Sequence, residues 1–271
     1  MLYNSLTSRY EIEELKRSYP FLETGSIGKS VMGRPIPYIV IGTGSTQVFY
    51  NASFHANENI TTGILLRFAR EYARAYAEGS DLYGVSAKEL FTSYRLYLVP
   101  MVNPDGVDLV NGLLRSGSYY EQAREIGASY PQIPFPNGWK ANIDGVDLNL
   151  QFPAGWEQAR MIKTAQGYTS PAPRDYVGSA PLTLILAYHT QGEVIYWKYL
   201  DYEPARSYEI AQYFGSVSGY TVEETPSASG YAGYKDWFIQ EYDRPGYTIE
   251  AGLGENPLPE SQFDEIYEAN K

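Results

Sequence analysis

The sequence predicts a single α/β layered domain, with a mixed central β-sheet and helices on both faces. Three observations carry that prediction. Short β-branched and aromatic runs alternate along the chain with longer stretches of helical period. The 271 residues, 44% of them hydrophobic, suffice for one continuous core. No internal repeat or low-complexity segment interrupts the alternation.

The elements follow in order. Ile12, Leu15 and Tyr19 recur at helical spacing around Glu11 to Ser18 and predict a short amphipathic opening helix. Gly25 to Val31 and Pro37 to Ile41 read as the arms of a hairpin, with Met32, Gly33, Arg34 and Pro35 as its turn. A second turn, Gly42 to Ser45, leads into a buried strand at Gln47 to Phe54. After it, Ile64, Leu65, Phe68, Ala69, Tyr72 and Tyr76 form the apolar stripe of a helix whose other face carries Arg67, Arg70, Glu71 and Arg74.

Tyr94 to Met101 predicts another strand, and Asn103, Pro104, Asp105 and Gly106 read as a turn. Residues 113 to 145 are rich in loop formers and show no clean period. Leu184 to Tyr188 and Gly192 to Trp197 are short apolar strands. Tyr208, Ala211, Phe214 and Val217 mark a helix ending near Gly219, and Tyr231 to Tyr242 predicts another. Tyr247 to Ile249 is a strand that delivers Glu250, and Phe263, Ile266 and Tyr267 belong to a last amphipathic helix.

Composition excludes several function classes. Asp and Glu total 32 against 21 Lys and Arg, a net charge of −11 with no basic stripe, so nucleic acid and anionic membrane are excluded as expected partners. An amine-bearing substrate stays compatible with that balance. Cysteine is absent, which removes disulfide frameworks and thiolate metal sites. No stretch is long and apolar enough to span a bilayer, and the N-terminus has no basic start followed by an apolar run. The expectation is a cytoplasmic or spore compartment, or the cell wall if a leader or anchoring domain precedes the chain.

The chemistry centres on F-H-A-N-E, Phe54 to Glu58, between a buried strand and a helix. Residues i and i+3 on a first helical turn share a face, so the His55 imidazole and the Glu58 carboxylate are expected to converge. That pair is half of a zinc site. The third ligand of such sites usually comes from far along the chain, and the one other histidine, His189, also ends an apolar strand, where ligands gather in open α/β sheets. Two protein nitrogens, one carboxylate and a position left for water make a catalytic rather than a structural zinc site. An isolated H-x-x-E also arises without function; the matching contexts of both histidines argue for the metal.

Five ordered motifs, H-A-N-E, N-P-D-G, G-V-D-L-N, A-Y-H-T-Q-G-E-V-I-Y-W and Y-T-I-E-A-G-L-G-E-N-P-L-P, resemble the carboxypeptidase A-like zinc peptidases from about residue 20 onward. Within that family the resemblance is strongest to the bacterial γ-D-glutamyl-L-diamino acid endopeptidases, which cut peptidoglycan stem peptides. It implies one Zn²⁺ per chain held by His55, Glu58 and His189. Asp147 is implied as the carboxylate that holds His55, and Glu250 as the catalytic glutamate. Lys140, which follows Trp139, matches the cation at the developing oxyanion.

On the substrate side, Asn149 and Gln151 match positions near the residue beyond the cut, Tyr231 is the nearest counterpart of the capping tyrosine, and Lys235 falls where the family selects a side chain. The arginine that should follow Asn149 to clamp a terminal carboxylate is Leu150 here. The resemblance therefore implies hydrolysis of the γ-D-glutamyl to meso-diaminopimelate bond, with an ordinary exopeptidase or a non-catalytic peptidoglycan-binding module as the alternatives. It is interrupted once. Where the family carries a further helix, the join at Thr183 and Leu184 is immediate, as a deletion or an omitted stretch would leave it. The whole of 1–271 is expected to be one catalytic domain, with room for a wall-binding domain before it.

Overall fold

The computed structural model describes residues 3–178 and 188–271. Helix α1, Ser5–Ser18, starts at Asn4, whose side chain accepts from the Leu6 and Thr7 amides while Thr7 answers the Asn4 N–H, a reciprocal cap that fixes the start. Strands β1, Glu23–Lys29, and β2, Pro35–Ile41, form the expected hairpin. Strand β3, Thr46–Asn51, leads through a buried loop into α2, Ile60–Glu78. A minimal hairpin of β4, Asp81–Leu82, and β5, Val85–Ser86, precedes α3, Ala87–Ser93, and β6, Tyr94–Val99.

Three findings differ from the sequence reading. Asn103 and Pro104 open a helix, α4, Pro104–Val110, rather than a simple turn: the Asn103 side chain accepts from the Gly106 amide, and proline is tolerated in a first turn because its missing N–H has no helical partner there. Within the stretch without a clean period lies α5, Ser118–Ala128, whose ends are crowded by the loop formers Gly117 and Pro131. Helix α6, Trp156–Ala165, is likewise flanked by loop formers, Pro153 and Gly155 before it and Gly167 after it.

The second half comprises β7, Tyr188–His189, β8, Val194–Tyr196, α7, Ser207–Ser218, β9, Thr221–Glu223, α8, Tyr234–Tyr242, β10, Thr248–Glu250, and α9, Phe263–Asn270. The strand expected at Leu184 to Tyr188, except for the backbone of Tyr188, and the join at Thr183 and Leu184 lie outside the described residues.

Among the described residues the strands pair as two mixed four-stranded ladders, β1-β2-β6-β3 and β7-β10-β8-β9. In the first, β3 runs parallel to β6, and in the second β10 runs parallel to β7 with Glu250 opposite His189. Strand alternation distributes side chains to both faces. Val48 and Tyr50 pack with Ile12, Leu66, Tyr72 and Phe91 against α1, α2 and α3, whereas Phe49 packs with Phe54, Phe152, Tyr234 and Trp237 beneath α8. The fold is thus the mixed sheet with helices on both faces that the alternation predicts. No helix among the described residues is long and apolar enough to cross a membrane.

Candidate active site

His55 and Glu58 sit in the loop between β3 and α2, one turn earlier than the first helical turn on which the spacing placed them. The Glu58 N–H donates to the His55 carbonyl at 3.2 Å, and this closed turn brings the two side chains together as a helical turn would. Hydroxyls lock it: Thr61 donates to the Glu58 carbonyl at 2.7 Å and receives the Ser53 N–H at 3.0 Å. The Asn103 amide donates to the carbonyls of Phe54 and Ala141, so the residue that caps α4 also tethers the loop before His55. Gly106 permits this close approach, because a Cβ there would lie 2.7 Å from the Ala141 carbonyl oxygen and 2.8 Å from the Ala56 Cβ.

The ligand set converges on one point. His55 Nδ1 lies 2.8 Å from Glu58 Oε1, His189 Nδ1 lies 3.0 Å from Glu58 Oε2, and the two Nδ1 atoms are 3.0 Å apart. All three residues are buried, and they form the only group of three or more potential ligands among the described residues. Tetrahedral zinc, with bonds of about 2.0–2.1 Å, spaces its ligand atoms about 3.3 Å apart, close to these separations.

Donor chemistry makes the fit stronger. His55 Nε2 lies 3.2 Å from Asp147 Oδ1, and a carboxylate there selects the Nε2–H tautomer, leaving Nδ1 as a lone pair. That lone pair, the His189 nitrogen and the Glu58 carboxylate are all acceptors facing one another, an arrangement that calls for a cation. The electrostatics agree. Burial most strongly opposes charge on His55, but the Glu58 and Asp147 carboxylates together outweigh it and push the imidazole up to about 9. Burial likewise opposes ionisation of Glu58 and Asp147, yet both carboxyls are held below the ordinary range, Glu58 by His55 and His189 and Asp147 by His55 and Lys140. His189 is lowered, first by burial and also by its neighbour His55.

Glu250 reaches the site through pairing of β10 with β7: its backbone lies opposite His189, and the Ala251 N–H donates to the His189 carbonyl at 3.0 Å. Burial, followed by the negative charge of Glu58, raises its carboxyl to about 7, against the pull of Lys140 and His55. Lys140 follows the fully buried Trp139, places Nζ 3.8 Å from Glu58 Oε1, and binds the ligand loop directly as its carbonyl accepts from the Ala56 N–H. His55, Glu58, His189, Asp147, Lys140 and Glu250 are therefore brought together.

The expected substrate residues divide. Leu150 and Tyr231 line one small cleft, with Lys163. Asn149 is turned to the protein, its carbonyl accepting from the Tyr234 N–H at 3.2 Å. Gln151 donates to the carbonyls of Asp147 and Tyr176 and accepts from Gly178, so its amide braces the loop. Lys235 is only 3% exposed, and its ammonium donates to the Lys198 carbonyl and the Asp236 carboxylate, so it is no solvated helix lysine.

One cluster was not legible in advance. Lys163 on α6 pairs with Asp175 at 2.6 Å, Arg174 pairs with the other Asp175 oxygen at 2.6 Å, and the Asp175 N–H donates to Asp147 Oδ2 at 3.1 Å. Adjacent charges in P-A-P-R-D-Y were its only trace, and the partner on α6 is joined by folding alone.

With this geometry in place, the comparison with known proteins is decisive for class. Residues 9–271 match the zinc carboxypeptidase family model, and the chain belongs to that family; it is a zinc metallopeptidase. It is 46% identical to γ-D-glutamyl-L-diamino acid endopeptidase 1 of Lysinibacillus sphaericus, over 95% of this chain and 67% of that protein. It is 41% identical to the uncharacterised protein YqgT of Bacillus subtilis, over 99% of this chain and 75% of that protein. Its fold is similar to bovine thrombin-activatable fibrinolysis inhibitor, solved in complex with tick carboxypeptidase inhibitor, with a TM-score of 0.71 and 16% identity over 99% of this chain and 93% of that one.

Proposed function

We propose that the chain hydrolyses the γ-D-glutamyl to meso-diaminopimelate bond of peptidoglycan stem peptides. The observation that carries the choice within the family is Leu150. It is 9% exposed and packs with Trp156, Ala159, Val177 and Ala232, so this position offers no fork of donors to a terminal carboxylate. The endopeptidase relative, 46% identical, supports the same direction.

His55, Glu58 and His189 would hold the metal, which would supply Lewis-acid polarisation and acidify water. Glu250, which lies opposite His189 across the β10–β7 pairing, takes the proton of the attacking water and returns it to the leaving amine. Lys140 supplies a fixed positive charge beside the site for the oxyanion of the tetrahedral species. Asp147 keeps the His55 ring in the tautomer and orientation that ligation needs. Residues 1–271 act as one catalytic domain.

Mass spectrometry of products from L-Ala-γ-D-Glu-meso-diaminopimelate, its D-Ala-extended form, and hippuryl-L-Phe and hippuryl-L-Arg tests this reading. Release of the diaminopimelate-bearing fragment, with the hippuryl substrates intact, is expected. Trimming of ordinary C-terminal residues instead would identify an exopeptidase.

A further inference from the structure

Two of the groups given roles beside the metal, Asp147 and Lys140, rest on the same short loop. Asp147 Oδ2 accepts from the Asp175 N–H at 3.1 Å, and the Asp147 N–H donates to the Tyr176 carbonyl at 3.1 Å. Earlier in the loop, the Pro173 carbonyl accepts from the N–H groups of Lys140 and Ala141, at 2.7 and 2.9 Å. The Ala172 N–H donates to the Gly145 carbonyl at 2.9 Å, which fixes the entry of the loop. Residues 172–176 are therefore bonded both to the segment that carries Lys140 and to the one that carries Asp147. Asp147 in turn reaches His55 at Nε2, the ring nitrogen turned away from the metal ligands, so what this loop can affect is the orientation of the ring.

The alignment depends on one backbone conformation. Asp175 has a φ of 64°, in the left-handed region that residues other than glycine seldom enter, and its N–H there points at Asp147. Such a conformation persists only where the surroundings over-determine it. Lys163 supplies the hold: its Nζ donates to Asp175 Oδ1 at 2.6 Å and ties the loop to helix α6. Arg174 takes the other oxygen at 2.6 Å, but it belongs to the loop itself, so that pair anchors the loop to nothing outside it. The Lys163 and Asp175 side chains are only 12% and 15% exposed, and water screens such a pair much less than one on the open surface.

We infer that Lys163 is a positioning residue for the proposed reaction: by gripping Asp175 it holds the 172–176 loop against Asp147 and Lys140 at once, and so aligns the His55 ring with the cation at the oxyanion. The inference rests on the roles proposed above for Asp147 and Lys140. Lys163 acts through the backbone of the loop and not by contact with the metal ligands.

The test measures zinc Kd by competition with a chromophoric chelator, and kcat and KM of the zinc-saturated enzyme on L-Ala-γ-D-Glu-meso-diaminopimelate. Lys163→Met is expected to weaken zinc binding and to lower kcat, each about 10-fold, the low end of what removal of a ligand's direct partner costs, with KM within about twofold. Lys163→Arg, which keeps the grip on Asp175, is expected to bring both back to within about threefold of wild type. In an Asp147→Asn background, Lys163→Met is expected to add little to the loss of zinc affinity, because the path to His55 is already broken. If Lys163→Met fails to fold, Asp175→Asn, which keeps the shape and the N–H and loses the charge, reads the same quantities. A lower melting temperature with zinc Kd and kcat within about threefold of wild type marks a purely structural pair and would overturn the inference. So would a loss that Lys163→Arg does not restore, or a zinc loss that adds in full to that of Asp147→Asn. Zinc affinity is read without substrate, so a wild type that leaves the tripeptide intact would overturn the proposed reaction while zinc Kd still decides the role of Lys163.

Discussion

Asp147→Asn isolates how the protein prepares its metal ligand. In the wild type Oδ1 accepts from the Asn149 N–H at 3.1 Å and lies 3.2 Å from His55 Nε2, while Oδ2 accepts from the Asp175 N–H at 3.1 Å. Asparagine keeps the shape but has one acceptor oxygen. If that oxygen stays with His55, the new NH₂ faces the Asp175 N–H, donor against donor. If the amide flips, the clash moves to His55 and favours the wrong tautomer. The negative charge that makes the ring a better ligand is lost either way. Substitution of such partners typically weakens metal binding about 10- to 100-fold, or about 1.4–2.7 kcal/mol. Competition against a chromophoric zinc chelator at neutral pH measures the loss, with thermal unfolding of the apo form as a control. A folded variant whose zinc Kd is within about threefold of wild type would refute the role given to Asp147.

Further expectations follow from the same geometry. Glu250→Gln is expected to retain stoichiometric zinc and lose about 10²- to 10⁴-fold in kcat, as removal of a general base does; loss of zinc by this variant would instead make Glu250 a ligand. His189→Ala removes one of the three ligands, so dialysis against a weak chelator should strip its metal while wild type stays loaded, a difference read by elemental analysis. Leu66→Ala empties a fully buried site on α2, and denaturant unfolding should register about 2–5 kcal/mol. The folded pKa of Asp175 is lowered, so its contribution to stability is present above the unfolded value of about 3.9 and is lost as pH falls through the folded value. Acid unfolding followed by circular dichroism should therefore be less steep below about pH 4 in Asp175→Asn; an unaltered acid limb would contradict the pairing with Lys163 and Arg174.

The metal ligands were legible because they lie beside periodic elements. His55 follows a strand and precedes the long stripe of α2, and His189 ends a short apolar run, so local pattern placed both before any contact was known, whereas the role of Glu250 came from the family resemblance. The His55 to Glu58 turn was misplaced by one turn because an i to i+3 bond looks the same in sequence whether or not a helix continues it. Helices α5 and α6 were missed for a different reason: each is short and crowded by loop formers, α5 by Gly117 and Pro131 and α6 by Pro153, Gly155 and Gly167, so the turn signals outweighed the period. The Lys163, Arg174 and Asp175 cluster was least legible. Lys163 sits on one of those unpredicted helices and meets Asp175 across a loop, so neither spacing nor composition encodes the meeting.

Release of free meso-diaminopimelate from L-Ala-γ-D-Glu-meso-diaminopimelate by the zinc-loaded protein tests the central claim most directly. The account predicts a single cleavage yielding L-Ala-D-Glu and diaminopimelate, abolished by zinc removal, restored by readdition, and lost in zinc-loaded Glu250→Gln. Intact tripeptide after incubation with the zinc-loaded wild type, or equal cleavage by Glu250→Gln, would contradict it.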